Sequence, residues 1–109
     1  MADLQEHKAI AAKYATNLNT AALDGMARNY ALVLSNKDSQ YVACGDNEER
    51  ATVRTNFLKK KLALTNSDAD LDAAIDAVCA TMKEDRFKSR LAMYYLLADK
   101  YGKLAMFVK

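Results

Sequence analysis

The chain has 109 residues, 51% of them hydrophobic and 28% charged, with three glycines, no proline and no tryptophan. That composition supports one domain with its own core and excludes disordered, collagen-like and disulfide-dense scaffolds. Sixteen basic against fourteen acidic residues leave a net charge of +2, too small by itself to argue for nucleic acid or an anionic membrane.

The longest apolar run, residues 91–98, falls far short of the roughly 20 residues of a membrane-spanning helix. The first ten residues are charged and carry no apolar export core, so the expectation is a cytoplasmic protein with a single helical domain over residues 1–109. Charge is uneven along the chain: residues 65–82 carry four acidic groups and no basic ones, whereas residues 83–109 carry seven basic and three acidic. Solvated helix faces and helix-end charges are the leading reading of such a pattern, and an interaction surface is the alternative.

Without proline, helices are bounded by caps, glycine and clusters of Asn and Ser. Asp3 and Glu6 have capping-box spacing and open a first helix to about Thr16, with Leu4, Ala11, Tyr14 and Leu18 as its apolar stripe. Asn17, Asn19 and Thr20 cap a second, carrying Leu23, Met26, Ala27, Tyr30 and Leu34 at helical spacing. Gly25 inside it costs about 1 kcal/mol relative to alanine, which a close crossing over its bare backbone would offset. Residues 35–45 break the period, and Tyr41, Val42 and Ala43 are expected to dock on the core, no second strand being available to pair with them.

Asp46 with Glu49 caps a third helix, which presents Val53, Phe57, Leu58, Leu62 and Leu64 and stops at Thr65 and Asn66. Ser67 with Asp70 caps the fourth, whose Leu71, Ala74, Ile75, Val78, Cys79 and Met82 form the cleanest amphipathic pattern in the chain. A fifth helix is predicted over residues 86–101, apolar on every side between 91 and 98 and closed by Gly102, and it is expected to be central. Leu104, Met106, Phe107 and Val108 make the following segment too apolar for a free end, so it packs back on the body. The predicted fold is all-α: a compact orthogonal array of about five helices around the apolar C-terminal helix, with no sheet.

Candidate chemistry is sparse. Asp68, Asp70 and Asp72 imitate the start of a calcium loop, but Ala73 and Cys79 stand where that loop needs glycine and glutamate, so the aspartates are first-turn helix charges. His7, the sole imidazole, is expected to be half-buried on the first helix, without catalytic partners nearby in the sequence. Cys44 and Cys79 lack the close pairing of a zinc site, and a cytosolic redox poise argues against a disulfide between them. Cys79 reads as core and Cys44 as a loop residue open to exposure. Tyr30, Tyr94, Tyr95 and Tyr101 with Phe57, Phe87 and Phe107 read as core aromatics whose hydroxyls reach the rim.

The one polyanion-binding candidate combines Lys59, Lys60 and Lys61 with Arg86, Lys88 and Arg90. Successive lysines point around a helix, so only two of the three would share a patch with the second group. The acidic segment at Asp68, Asp70, Asp72 and Asp76 would repel phosphates.

Residues 54–62 (RTNFLKKKL), 71–79 (LDAAIDAVC) and 89–104 (SRLAMYYLLADKYGKL) carry a resemblance to an uncharacterised bacterial family, domain of unknown function 2853. The resemblance spans most of the chain. It implies a small bacterial cytoplasmic protein, and it supplies no activity and no catalytic or binding residue.

The leading functional expectation is a non-enzymatic protein-interaction module that binds another protein or a second copy of itself, with no cofactor, metal or membrane role. The alternatives are weak nucleic-acid binding through the Lys/Arg cluster, and a small-ligand or enzymatic role without a recognisable motif.

Overall fold

The computed structural model describes residues 4–15, 18–36 and 39–108. The predicted cap at Asp3, the helix end at Thr16 and the contribution of Asn17 lie outside them. The helices follow the predicted punctuation. α1 (Leu4–Tyr14) precedes α2 (Thr20–Asn29), which is capped by the Asn19 side chain accepting from the Ala22 N–H. A break at Tyr30 sets off the short α3 (Ala31–Ser35). Asp46 caps α4 (Asn47–Thr52) by accepting from the Glu48 and Glu49 amides, and Ser67 caps α5 (Asp68–Thr81). α6 (Arg90–Lys100) ends at Gly102, whose φ of +68° suits a residue without Cβ. The bonds from Gly102 N to Asp99 O and from Lys103 N to Ala98 O complete a Schellman cap there.

The predicted centre is correct: Leu91, Ala92, Met93, Tyr95, Leu97 and Ala98 in α6 have no measurable exposure. α1, α2 and α5 all pack against it. The stripe of α1 differs from the prediction. His7 and Ala11 are buried, while Leu4 and Leu18 are exposed. α6 also starts later than predicted, because Lys88 and Ser89 are extended and the Ser89 hydroxyl caps the helix by accepting from the Ala92 amide.

That extended pair corrects the expectation of no sheet. β1 (Tyr41–Val42) pairs antiparallel with β2 (Lys88–Ser89), Tyr41 opposite Ser89 and Val42 opposite Lys88. Two-residue strands carry no periodicity, so nothing in the sequence marks them. The architecture remains all-α.

The third predicted helix changes character at its midpoint. After α4 the chain continues as a π-helix over Val53–Lys61, nine residues long, with Leu62 N bonded to the Phe57 carbonyl five residues back. It ends through Ala63 at φ +58°, with the Leu64 amide bonded to the Leu58 carbonyl. The wider turn keeps Val53, Phe57 and Leu58 all in the core.

A disulfide joins Cys44 to Cys79, overturning the expectation of two separate thiols. Both cysteines are half-buried, so Cys79 is no core residue and Cys44 no open thiol. The link ties the segment before α4 to the C-terminal half of α5. Arg50 reinforces it, donating to the Cys44 and Asp72 carbonyls and pairing with Asp76. The cysteines are 35 positions apart in the sequence. For a loop of that size, reduction or a Cys44→Ser/Cys79→Ser double variant should lower stability by about 3–4 kcal/mol, read by urea unfolding with and without dithiothreitol.

The tail returns as a 3-10 turn (Leu104–Phe107) on α2, with Phe107 buried. A Cβ added at Gly25 would lie 1.8 Å from the Phe107 carbonyl oxygen, which is the close crossing expected over this glycine. Exposed helical Gly→Ala changes gain up to about 1 kcal/mol; here Gly25→Ala should destabilise, because backbone must move to make room. A lower urea midpoint for Gly25→Ala, with Met106→Ala as a surface control, is the expected result.

Candidate functional site

Arg90 is where the structure gathers its polar groups. Its side chain is 6% exposed, at the start of an apolar helix. Nε donates to the Ser39 carbonyl at 2.6 Å, one terminal nitrogen to the Tyr94 hydroxyl at 3.0 Å, and the other to the Tyr41 carbonyl and the Glu49 carboxylate. Burial works against the guanidinium charge, while Tyr94 and Glu49 outweigh it and raise its pKa. Tyr94, one turn along α6, is stacked on Phe57 of the π-helix with ring centroids 3.9 Å apart. Tyr30, at the α2–α3 break, meets Tyr94 edge-on at 5.1 Å.

Arg90, Tyr94, Tyr30, Ser39 and Glu49, with Val33, Thr52 and Asn56, line a partly open cavity of about 370 Å³. Several of its polar atoms have no protein partner among the described residues. The Tyr30 hydroxyl makes no hydrogen bond, and burial, with Tyr94 adding to it, pushes its pKa up. Glu49 gives one oxygen to Arg90 and keeps the other unpaired. The Tyr94 oxygen accepts from Arg90, which leaves its proton to donate.

The sequence signal for this site was the charged Arg90 one turn before Tyr94 in an otherwise apolar helix. Its partners were not legible, because Ser39, Tyr41 and Glu49 lie 41 to 51 positions away.

The six basic residues read as one candidate do not form one patch. Arg90 is buried and spent on its four acceptors. Lys59 pairs with Asp68 at 2.5 Å, and Lys61 lies 5.5 Å from the Phe107 ring centre, with Lys60 exposed between them. Arg86 covers Phe87, and Lys88 donates to the Asp85 carbonyl. Asp68 begins α5 and Asp85 follows its end, so the two groups lie at opposite ends of a helix about 20 Å long.

Asp68 and Asp70 lie in the first turn of α5 as predicted, and Asp68 and Asp72 also join an ionic ladder along the helix. Asp76, Asp72 and Asp68 recur every four residues on α5 and meet Arg50, Arg54 and Lys59 in antiparallel order. Among the described residues no group of three or more His, Cys, Asp or Glu side chains could hold a metal ion.

His7 is fully buried rather than half-buried, and partners from distant segments surround it. Nδ1 lies 2.7 Å from the Ser89 hydroxyl and Nε2 lies 3.2 Å from Gln40 Oε1. The Ser89 oxygen also accepts from the Ala92 N–H. His7 and Ser89 are both fully buried.

A model of the family described as a protein of unknown function, DUF2853, matches residues 5–105. The chain belongs to the DUF2853 family. No curated protein matches it. The match in this DUF2853 member spans both the ionic ladder and the cavity. No helix among the described residues is long and apolar enough to cross a membrane.

Two predictions follow from the charges. Asp68 is held below the usual carboxylate value of 3.8, first by the hydrogen bond from Lys59. At Asp85 burial pushes upward, but hydrogen bonds from Tyr14 and Lys13 outweigh it, and the net shift is also downward. Both folded values therefore lie below the unfolded ones. The stabilisation is complete above about pH 4 and is lost as the pH falls through the folded values, so the urea midpoint should drop between pH 6 and pH 3. Asp68→Asn should shrink that drop. Second, titration of labelled duplex and single-stranded DNA should give weak or no binding at physiological salt, since the basic groups are divided and largely paired. Micromolar binding weakened by Lys60→Glu would reverse that conclusion.

Proposed function

We propose that this DUF2853 member is a non-enzymatic protein-interaction module whose recognition surface is the face formed by α3 and the Arg90 cavity. The observation that carries this reading is Leu32, 87% exposed on α3, the short helix whose Val33, with Tyr30 just before it, lines the cavity. A single exposed leucine is ordinary on a protein surface. An exposed leucine on the same short helix that lines a hollow with unpaired polar atoms brings an apolar anchor and directional groups onto one element, as interface centres do. A second copy of the chain and a different protein are both suitable partners for this face.

A bacterial cytoplasmic setting belongs to the same proposal. In that compartment the Cys44–Cys79 bond would exchange with its two thiols under the glutathione pool.

Leu32→Asp tests the reading, because an exposed side chain can be changed at a cost of about 0.5 kcal/mol or less. Light scattering after gel filtration, with crosslinking of the tagged chain in bacterial lysate, should show self-association or a defined partner for the parent. Leu32→Asp should lose that association and keep the parent's circular dichroism spectrum. A parent that is strictly monomeric, with a crosslinking pattern identical to that of Leu32→Asp, would overturn the proposal.

A further inference from the structure

We propose that the Arg90 cavity binds an uncharged, planar carboxamide, the group found in small aromatic amides and in Asn and Gln side chains. This assignment rests on the cavity itself and stands whether or not Leu32 engages a partner. The first argument is charge balance. Arg90 and Glu49 neutralise each other within the wall, and the guanidinium is already directed at four acceptors. An anion entering the cavity would face Glu49 without gaining a free cation, and a cation would face Arg90.

The second argument is the pattern of groups left over. The Glu49 oxygen not used by Arg90 is an acceptor, and the Tyr94 and Tyr30 hydroxyls have protons to donate. A carboxamide presents two N–H donors beside one carbonyl acceptor, so it can give a hydrogen bond to Glu49 and receive one from a phenol. Asn56, exposed on the π-helix and lining the cavity, with no side-chain hydrogen bond among the described residues, offers both functions again.

The third argument is that the walls are fixed before a ligand arrives. Tyr94 and Arg90 are each 5% exposed, Tyr94 is held by Phe57 and Arg90, and Arg90 is held by three segments. At about 370 Å³ the cavity falls at the small end of ligand sites.

The test is a titration of the intact, oxidised chain with benzamide, benzoate and benzylamine, followed by two-dimensional NMR. Benzamide should shift signals of Tyr30, Asn56 and Tyr94 at millimolar concentration. Tyr30→Phe, which removes one hydroxyl and leaves the packing in place, should weaken benzamide by about tenfold, the worth of one neutral hydrogen bond. Benzoate and benzylamine should each bind about tenfold more weakly than benzamide, or less well still. A capped glutamine that shifts the same signals would extend the site to protein side chains, and one that does not would assign it to free small amides.

Absence of any benzamide shift would overturn the proposal. So would equal binding of either charged analogue, or benzamide affinity unchanged in Tyr30→Phe. Because light scattering of Leu32→Asp reads association and this titration reads cavity occupancy, failure of one leaves the other interpretable.

Discussion

A guanidinium taken out of water must find acceptors for its N–H groups, and in this fold that demand organises the surroundings of the central helix. Arg90 draws the Ser39 and Tyr41 carbonyls onto the start of α6, and its own amide donates to the Gln40 carbonyl at 2.8 Å. Those contacts hold the segment from which β1 pairs with β2. The Glu49 contact anchors α4, and the Tyr94 contact orients the ring on which Phe57 stacks. One charge thereby connects three segments: residues 39–41, α4 and α6. Replacing only one side of such a buried pair leaves the other uncompensated, so Arg90 and Glu49 are best regarded as a unit.

The π-helix is the second constraint, and it explains why the ionic ladder closes. On α5 the acidic partners step by four residues, Asp76, Asp72, Asp68, whereas on the facing segment the basic ones step from Arg50 to Arg54 and then five residues to Lys59. In a regular α-helix the residue one turn beyond Arg54 is Leu58, which is buried here. The wider turn carries Leu58 into the core and brings Lys59 into line with Asp68. The same adjustment leaves Arg54 Nε 3.9 Å from Asp68, too far for a hydrogen bond, and that nitrogen is buried without a partner.

What was legible in the sequence was local. Asn19, Asp46 and Ser67 declare themselves as caps by residue type and spacing, and the unbroken apolar run in α6 announces a buried helix. The crossing at Gly25 was legible too, because a glycine inside a helix needs compensation. What was missed depends on pairing at a distance: the disulfide, the two-residue ladder, the Arg90 contacts, and the burial of His7 by Gln40 and Ser89 from 33 and 82 positions away. The π-helix was missed for a different reason. Its residues satisfy a helical pattern closely enough that a change of one residue per turn leaves no mark in composition.

The packing of α1 against α6, and of the Phe107 turn on Gly25, sets an order of events during synthesis. α1 and α2 are made before residues 89–107, yet His7 completes its contacts at Ser89 and the bare backbone at Gly25 is covered by Phe107. Without that stretch the earlier helices lack the central helix α6 on which both of them pack. Contacts of such long sequence separation slow folding and leave apolar surface exposed in the meantime. Both helices therefore depend on a downstream stretch of the chain for part of their packing.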